Sequence, residues 1–363
     1  MYQPFKFENL LKLHSPLLYQ WSIDNSVFLF DFDECMFAQN AEELIVNTLI
    51  EAAHDYSVIA ICESHPFFLS EELYIARSEL INHTASKLKV PLIFLTADYR
   101  LLDNTITNRA FFPGWYFRQR YWAIKHNYCE YPWPIARKYN FSCCNLGNYR
   151  TEKIYNYIEC FKRYRTDWYI TMYNHDHARI TEKSINDIGG LTEEQMQLWN
   201  TEIKQTVPMY QYDLLNGEHQ NPHSAIFLGH TEAYCNLVME HSMEIEILSE
   251  KSFKPFLANQ IPVYCASIGA AAALTKLGFD LFYDFVDHNK YDNVSINNHR
   301  DPANFTERIL AVHGLIDDLY KTDFTKFFHN PDAQTRLSKN KEHFYSNDID
   351  YMCIKQLNGI LNK

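Results

Sequence analysis

The chain has 363 residues, 47 % of them hydrophobic, which is enough for more than one core and makes two domains the first expectation. Its 33 basic against 45 acidic residues leave a net charge of -12, which argues against a protein coated with basic surface for nonspecific nucleic-acid binding. Nine cysteines without a C-x-x-C pair suggest neither a zinc ribbon nor a disulfide framework, and no apolar run reaches membrane-spanning length. With no apolar core and cleavage site at the N-terminus, a soluble protein in a reducing cytoplasm is expected.

Apolar runs of strand length alternate with stretches of helical period, the pattern of helices covering a mainly parallel sheet, so the fold class is α/β. Strands are expected at "SVFLFDF" (26 to 32), "SVIAICE" (57 to 63) and "PLIFLTA" (91 to 97), with a helix opened by Ser70 between the last two. Two prolines and crowded aromatics interrupt both periods in "HNYCEYPWPIARKYN" (126 to 140), which places the inter-domain linker there. A second series follows: "FSCCN", the helical "TEKIYNYIECFKRY", then "DWYITMY", "SAIFLGH", "MEIEIL" and "IPVYCAS". The domains expected are 1–135, 136–330 and a helical tail over 331–363, with an amphipathic helix at 305–322 closing the second.

Charge is uneven: residues 115 to 165 carry +7 and residues 1 to 114 carry -8. The basic stretch is either a solvated helix face or a basic wall beside an anionic ligand. "YNHDHARI" places His175 and His177 around Asp176 in a spacing that suits a loop better than a zinc face, so no metal site is expected there.

The corner "ILSEKSFKPFLANQIPVYCAS" (247 to 267) reads as a strand, a sharp turn, a short helix holding Pro255 and a second strand. Open parallel sheets bind ligands beyond the carboxyl ends of their strands, where helix N-termini offer free N–H groups to anions. Ser249 is the expected N-cap, with Glu250 and Lys251 in the first turn. A first-turn lysine opposes the helix dipole, which points to a ligand supplying negative charge. A nucleotide diphosphate would fit, with Lys251 on phosphate and Glu250 on ribose hydroxyls; a capped helix with a surface ion pair would also fit.

"LSEKSFKPFLANQIPVYCASIGAAAALTKLGFDLFYDFVDHNKYD" resembles the donor-domain signature of fucosyltransferase-like glycosyltransferases and their bacterial and phage relatives. "FLGHTEAYCN" resembles the strand ending in a glutamate, Glu232, that precedes that signature, and "FSCCNLGNYRTEKIYNYIE" resembles the domain's opening, with Asn145 ending a strand and Arg150 near the next helix. The resemblance covers residues 141 to 292. It implies a GT-B architecture, two Rossmann-like domains facing across a cleft, and transfer from a UDP- or GDP-sugar as co-substrate, with inversion, no tightly bound cofactor and no required metal. Lys251 and Arg150 would neutralise the leaving diphosphate, Glu250 would bind ribose, Asn145 and Glu232 would line the donor pocket, and Ser249, Ser267 and Gly269 would shape it. The relatives' Gly-Ser-Pro-Gly turn is "ASIGAA" here, with Gly269 kept and the proline and first glycine replaced.

An inverting transfer needs a base for the attacking hydroxyl. Glu63, closing a strand, is the first choice, with Asp31 and Asp33 of "FDFDE" as alternatives. The Asp-x-Asp also mimics the nucleophile motif of haloacid-dehalogenase phosphatases, but Cys35 stands where that motif has Thr or Val. Arg118, Arg120 and Lys125 would line the acceptor side. Two acceptors compete, a glycan or lipid-linked sugar and 5-hydroxymethylcytosine in phage DNA, the latter needing an extruded base. A non-catalytic nucleotide-sugar-binding module is a further alternative.

Overall fold

The structure is a computed structural model, and it describes residues 11–12, 14–31, 40–63, 71–102, 108–131, 133–145, 151–164, 168–172, 192–203, 226, 228–240, 243, 246–294 and 302–362. The chain divides into two compact units, one formed by residues 1–125, 247–249 and 345–363, the other by 126–246 and 250–344. Each is an α/β unit built on its own four-stranded sheet, and among the described residues the strands of both sheets pair in parallel.

In the first unit α1 (Pro16–Asp24) leads into β1 (Val27–Asp31), followed by α2 (Ala41–Asp55), β2 (Val58–Glu63), α3 (Glu71–Leu88), β3 (Leu92–Thr96), β4 (Arg109–Phe111) and α4 (Gly114–Lys125). The strands lie in simple sequential order, β1-β2-β3-β4. Alternate residues of β1 and β2, Phe28, Phe30, Ile59 and Ile61, meet Ile45 and Leu49 of α2 and Ile81 of α3 in one buried cluster. This is the two-residue strand period meeting the helical period, as the apolar pattern predicts.

The second unit runs β5 (Tyr139–Asn145), α5 (Thr151–Tyr164), β6 (Trp168–Met172), α6 (Glu193–Leu198), α7 (Leu228–Glu232), β7 (Ala233–Met239), α8 (Glu250–Leu257), β8 (Ile261–Cys265), α9 (Ala270–Lys276), α10 (Asn289–Asp292), α11 (Pro302–Leu319), α12 (Phe324–Phe328) and α13 (Pro331–Tyr345). Its strand order is β6-β5-β7-β8. The chain therefore builds outward from β5 to one side, returns, and builds to the other, which puts a topological switch point between β5 and β7. Every residue of β7 and β8 is buried, as expected of parallel strands covered on both faces. At the amino end of this sheet Gln260 is fully buried; its amide donates to the Ala233 carbonyl at 2.8 Å, and its oxygen accepts from Asn236 at 3.1 Å.

The linker expected at 126–140 belongs to the second unit, with the division ten residues earlier than the expected boundary at 135/136. Arg137 explains the attachment of this segment. Its guanidinium donates to the carbonyls of Pro134, His230, Ala233, Ala258 and Asn259 at 2.7–3.1 Å, and burial lowers its pKa to about 10. The expected tail also divides: α13 stays with the second unit, while α14 (Asp348–Leu361) belongs to the first. There Asp350, fully buried, takes a hydrogen bond from the Arg120 guanidinium at 2.8 Å and one from the Ser15 hydroxyl. Arg120 also donates to the Tyr345 carbonyl and to Asn347.

Removing Arg120 strands Asp350 as an uncompensated buried charge, so Arg120→Met is expected to cost about 3–5 kcal/mol. A clear fall in Tm and denaturant midpoint checks this; a variant within about 0.5 kcal/mol of wild type would show the pair to be dispensable.

Three buried imidazoles set the acid limit. Burial holds His14 and His288 at about 4 and His313 at about 3. Unfolding restores them to about 6.5, so below that pH the unfolded chain binds more protons and stability drops as pH falls through the window toward 4. Tm measured from pH 7.5 to 4.5 should therefore decline below about 6.5; a flat profile would contradict the neutral buried state.

Candidate functional site

Parallel α/β sheets present chemistry at the carboxyl ends of their strands, and at a switch point the two flanking crossovers leave on opposite faces and open a crevice. In the second unit that place is bounded by Asn145, the last residue of β5, and by the segment that follows β7. Ser142 of β5 pairs with Asn236 of β7, so both strands end at the same level.

Beyond β7 the chain reaches Ser249 and α8. Ser249 and Glu250 are fully buried, and the Lys251 side chain is 14 % exposed. Lys251 Nζ donates to Glu250 Oε1 at 3.1 Å. The pair is thus an interior one, not the surface ion pair that was the alternative reading. Helix α8 buries its whole circumference, including Ser252 and Lys254 as well as Phe253, Phe256 and Leu257. Pro255 sits inside it, the helix ends at Leu257, and Asn259, in the turn that follows, takes the left-handed conformation at φ +50°. Phe256 stacks on Phe279 at 4.1 Å between centroids and fixes the roll of the helix.

Glu232 requires a correction. It does not end a strand; it closes α7 and precedes β7, at the amino end of the sheet, where its carbonyl accepts the Lys138 amide. The glutamate at the carboxyl end of β7 is Glu240, which sequence reasoning passed over. Glu240 is 3 % exposed, its amide donates to the Cys265 carbonyl at 3.1 Å, and its Oε1 accepts the Ser252 hydroxyl at 2.5 Å. The signal was present: Glu240 immediately follows the apolar run "AYCNLVM".

Ser267 and Gly269 lie in the turn after β8. Gly269 has φ +80°, a conformation L-residues rarely adopt, which accounts for glycine here. The amides around it are committed internally: Gly269 donates to the Asp292 carbonyl, while Ala271 and Ala272 donate to the Asp292 carboxylate at 3.3 and 3.1 Å. Arg308, fully buried, lies 3.5 Å from that carboxylate and donates to the Ser267 carbonyl at 2.9 Å. Burial raises the Asp292 pKa against the opposing pull of these donors. The start of α9 is therefore filled by the protein's own anion. Nearby, Tyr291 accepts the Tyr264 amide at 2.9 Å and donates to His288 Nδ1 at 2.6 Å, and His288 Nε2 donates to the Leu281 carbonyl at 2.8 Å. A carbonyl can only accept, which fixes the proton on Nε2.

In the first unit Glu63 ends β2, pairing with Thr96, and Asp31 ends β1, pairing with Cys62. Both acidic residues thus close adjacent strands at one carboxyl edge. Arg120 is corrected from an acceptor-side cation to the buried partner of Asp350. Arg118 lies over the Trp115 ring at 5.3 Å, and Lys125, exposed, lies 5.8 Å from the Tyr121 ring. Asp33, Arg150 and the His175–His177 motif lie outside the described residues, as does Cys35. Among the described residues no group of three or more His, Cys, Asp or Glu could hold a metal, and no helix is long and apolar enough to cross a membrane.

No family model matches the chain, and no curated protein matches it. Two solved structures are similar to it. A crystal structure of an α1,3-fucosyltransferase aligns over 88 % of this chain and 83 % of its own at 11 % identity and a TM-score of 0.34. A glycotransferase of kitacinnamycin aligns over 98 % of this chain and 96 % of its own at 10 % identity and a TM-score of 0.35. At that level neither similarity carries an argument about this chain's activity.

Asp292 neutralises buried Arg308 and caps α9 together. Asp292→Ala is accordingly expected to cost about 3–5 kcal/mol, read as a lowered Tm, whereas replacing both members by apolar residues, Asp292→Leu with Arg308→Met, should recover part of the loss.

Proposed function

We propose that the protein is a glycosyltransferase that moves a sugar from a nucleotide-diphospho-sugar to a hydroxyl acceptor. The observation that carries this reading is the position of Glu250 and Lys251. They open a buried helix, the next helix in the chain after the strand that flanks the switch point, and the other flanking strand ends in Asn145. Lys251 is held against Glu250 and largely desolvated, so its charge acts at higher strength on a bound phosphate than an exposed lysine would. In this reading Lys251, with Arg150, neutralises the diphosphate, a role a divalent cation fills elsewhere, and Glu250 accepts hydrogen bonds from ribose hydroxyls. The fucosyltransferase-like order of the motifs over 141 to 292 supports the same assignment.

The transfer is an inverting displacement. The acceptor oxygen attacks the anomeric carbon as Glu63, at the end of β2, takes its proton; the bond from that carbon to the diphosphate oxygen breaks, and the electron pair leaves on the diphosphate. Asp31 at the neighbouring strand end is the alternative base. For the acceptor we favour a glycan hydroxyl over 5-hydroxymethylcytosine in DNA. The basic stretch that would suit a phosphate backbone commits three of its arginines within the fold: Arg120 to Asp350, Arg137 to five carbonyls, and Arg163 to Glu159 and Asp317.

A thermal-shift panel of UDP, GDP, CMP, ADP and dTDP tests the donor corner. One nucleotide near 100 times its Kd should raise the wild-type Tm by about 3–5 °C, and Lys251→Met should lose most of that shift relative to its own baseline. No shift with any nucleotide would remove the main support for the reading. For the base, Glu63→Gln should lower the transfer rate about 10²–10⁴-fold and leave the nucleotide shift intact; unchanged turnover would transfer the role to Asp31. A salt-sensitive gel shift of duplex DNA would reverse the choice of acceptor.

A further inference from the structure

Helix α8 has a weakness where the proposed donor site needs rigidity. A proline at position 255 has no amide hydrogen, so the carbonyl of Lys251, four residues earlier, loses its intrahelical donor. The first turn, which carries Glu250 and Lys251, therefore has one helical bond fewer, and a helix of eight residues is too short to be stable alone.

Two bonds from the sheet replace that support, and both converge on Ser252. Its hydroxyl donates to Glu240 Oε1 at 2.5 Å, and its carbonyl accepts the Tyr264 hydroxyl at 2.9 Å. Glu240 follows β7 and Tyr264 lies in β8, so the first turn of α8 is pinned to two adjacent strands. Glu240 is itself held in register, because its amide donates to the carbonyl of Cys265, the last residue of β8. A carboxylate 3 % exposed is expensive to bury and is kept there only against a defined partner.

We infer that Glu240 is a positioning residue for the nucleotide-diphosphate site, acting through Ser252 to hold Glu250 and Lys251 in the orientation that meets the ligand. The inference rests on the donor-site reading above and deepens it. Glu240 touches no phosphate in this scheme. Its carboxylate fixes the rotamer of Ser252, the tied Ser252 fixes the main chain of the first turn, and the turn fixes where the Lys251 ammonium points. A charged acceptor makes this hydrogen bond about twice as strong as a neutral one would, which gives the carboxylate an advantage over an amide at the same place.

The test is a set of calorimetric titrations with UDP and GDP, with Tm recorded for every variant. Wild type should bind one of the two. Glu240→Gln keeps the shape and loses the charge, and should weaken that binding about tenfold, or about 1.4 kcal/mol, while the protein is still folded at the assay temperature. Ser252→Ala attacks the same bond from the other end and should weaken binding to a similar degree, with Ser252→Thr restoring it. In a Lys251→Met background Glu240→Gln should add less than about a twofold loss, because its effect runs through Lys251. Unchanged affinity in both Glu240→Gln and Ser252→Ala overturns the inference and leaves the donor site standing. So does a loss that is the same with and without Lys251, or a Tm drop with no change in Kd, since either marks a merely structural role. If wild type binds neither of these nor any other nucleotide of the thermal-shift panel, the donor-site reading fails at its first step and this inference fails with it, a result separable from the others because it appears before any substitution is made.

Discussion

A parallel strand covered on both faces has nowhere to put a functional side chain except beyond its ends, and this constraint organises the second unit. All of β7 and β8 are buried, so the polar residues of that sheet lie either inside closed hydrogen-bond sets or at its two edges. The amino edge is closed by Gln260 and Arg137, which between them satisfy carbonyls at the start of β7 and at the end of α8. The carboxyl edge gathers Glu240, Ser249, Glu250, Lys251 and Ser252, an unusual density of polar groups at low exposure. Such groups are costly to bury and stay at low exposure only against defined partners, as Glu240 does against Ser252 and Lys251 against Glu250. Their concentration beside the switch point is what gives the donor reading its physical footing.

The same cost governs the charges elsewhere. Arg308 and Asp292, and Arg120 and Asp350, are interior pairs in which each ion is the condition for burying the other. The first closes the turn after β8; the second fastens α14 to the first unit. Pairs of this kind contribute less to net stability than their Coulomb energy suggests, since desolvation offsets most of it, but they define which segments belong together. The exposed pairs contrast with them. Arg336 lies between Asp280 and Asp284 and lowers the pKa of both, yet Asp284 is 62 % exposed, so solvent screens much of that attraction.

Much was legible in the chain before any coordinate. The strands at Val27–Asp31, Val58–Glu63, Leu92–Thr96, Tyr139–Asn145 and Ile261–Cys265, and helix α8 with its internal proline, fall where apolar runs and turn residues place them. Periodicity and punctuation are local properties, and strands that are buried on both faces announce themselves as continuous apolar runs. Glycine at the turn after β8 is local too, because the φ of +80° is demanded by that turn alone. The α/β class followed from these features directly.

Partnership could not be seen in this way. Glu232 and Glu240 flank one strand, and the switch point that sets Glu240 apart from Glu232 exists only in the strand order of the sheet. Arg120 and Arg137 looked like members of a basic wall because a run of like charges carries no sign of what it meets; Asp350 lies 230 residues from Arg120, and the carbonyls around Arg137 come from segments about 95 and 120 residues away. The sequence by itself determined the class of fold, the corner that opens at Ser249 and the acidic ends of β1 and β2. The tertiary structure alone decided the strand order that creates the switch point, which glutamate reaches it and which arginines are spent on holding the chain together, because each of these depends on contacts between residues far apart in the chain, and the desolvation of a charge is set by what closes over it rather than by its neighbours in sequence.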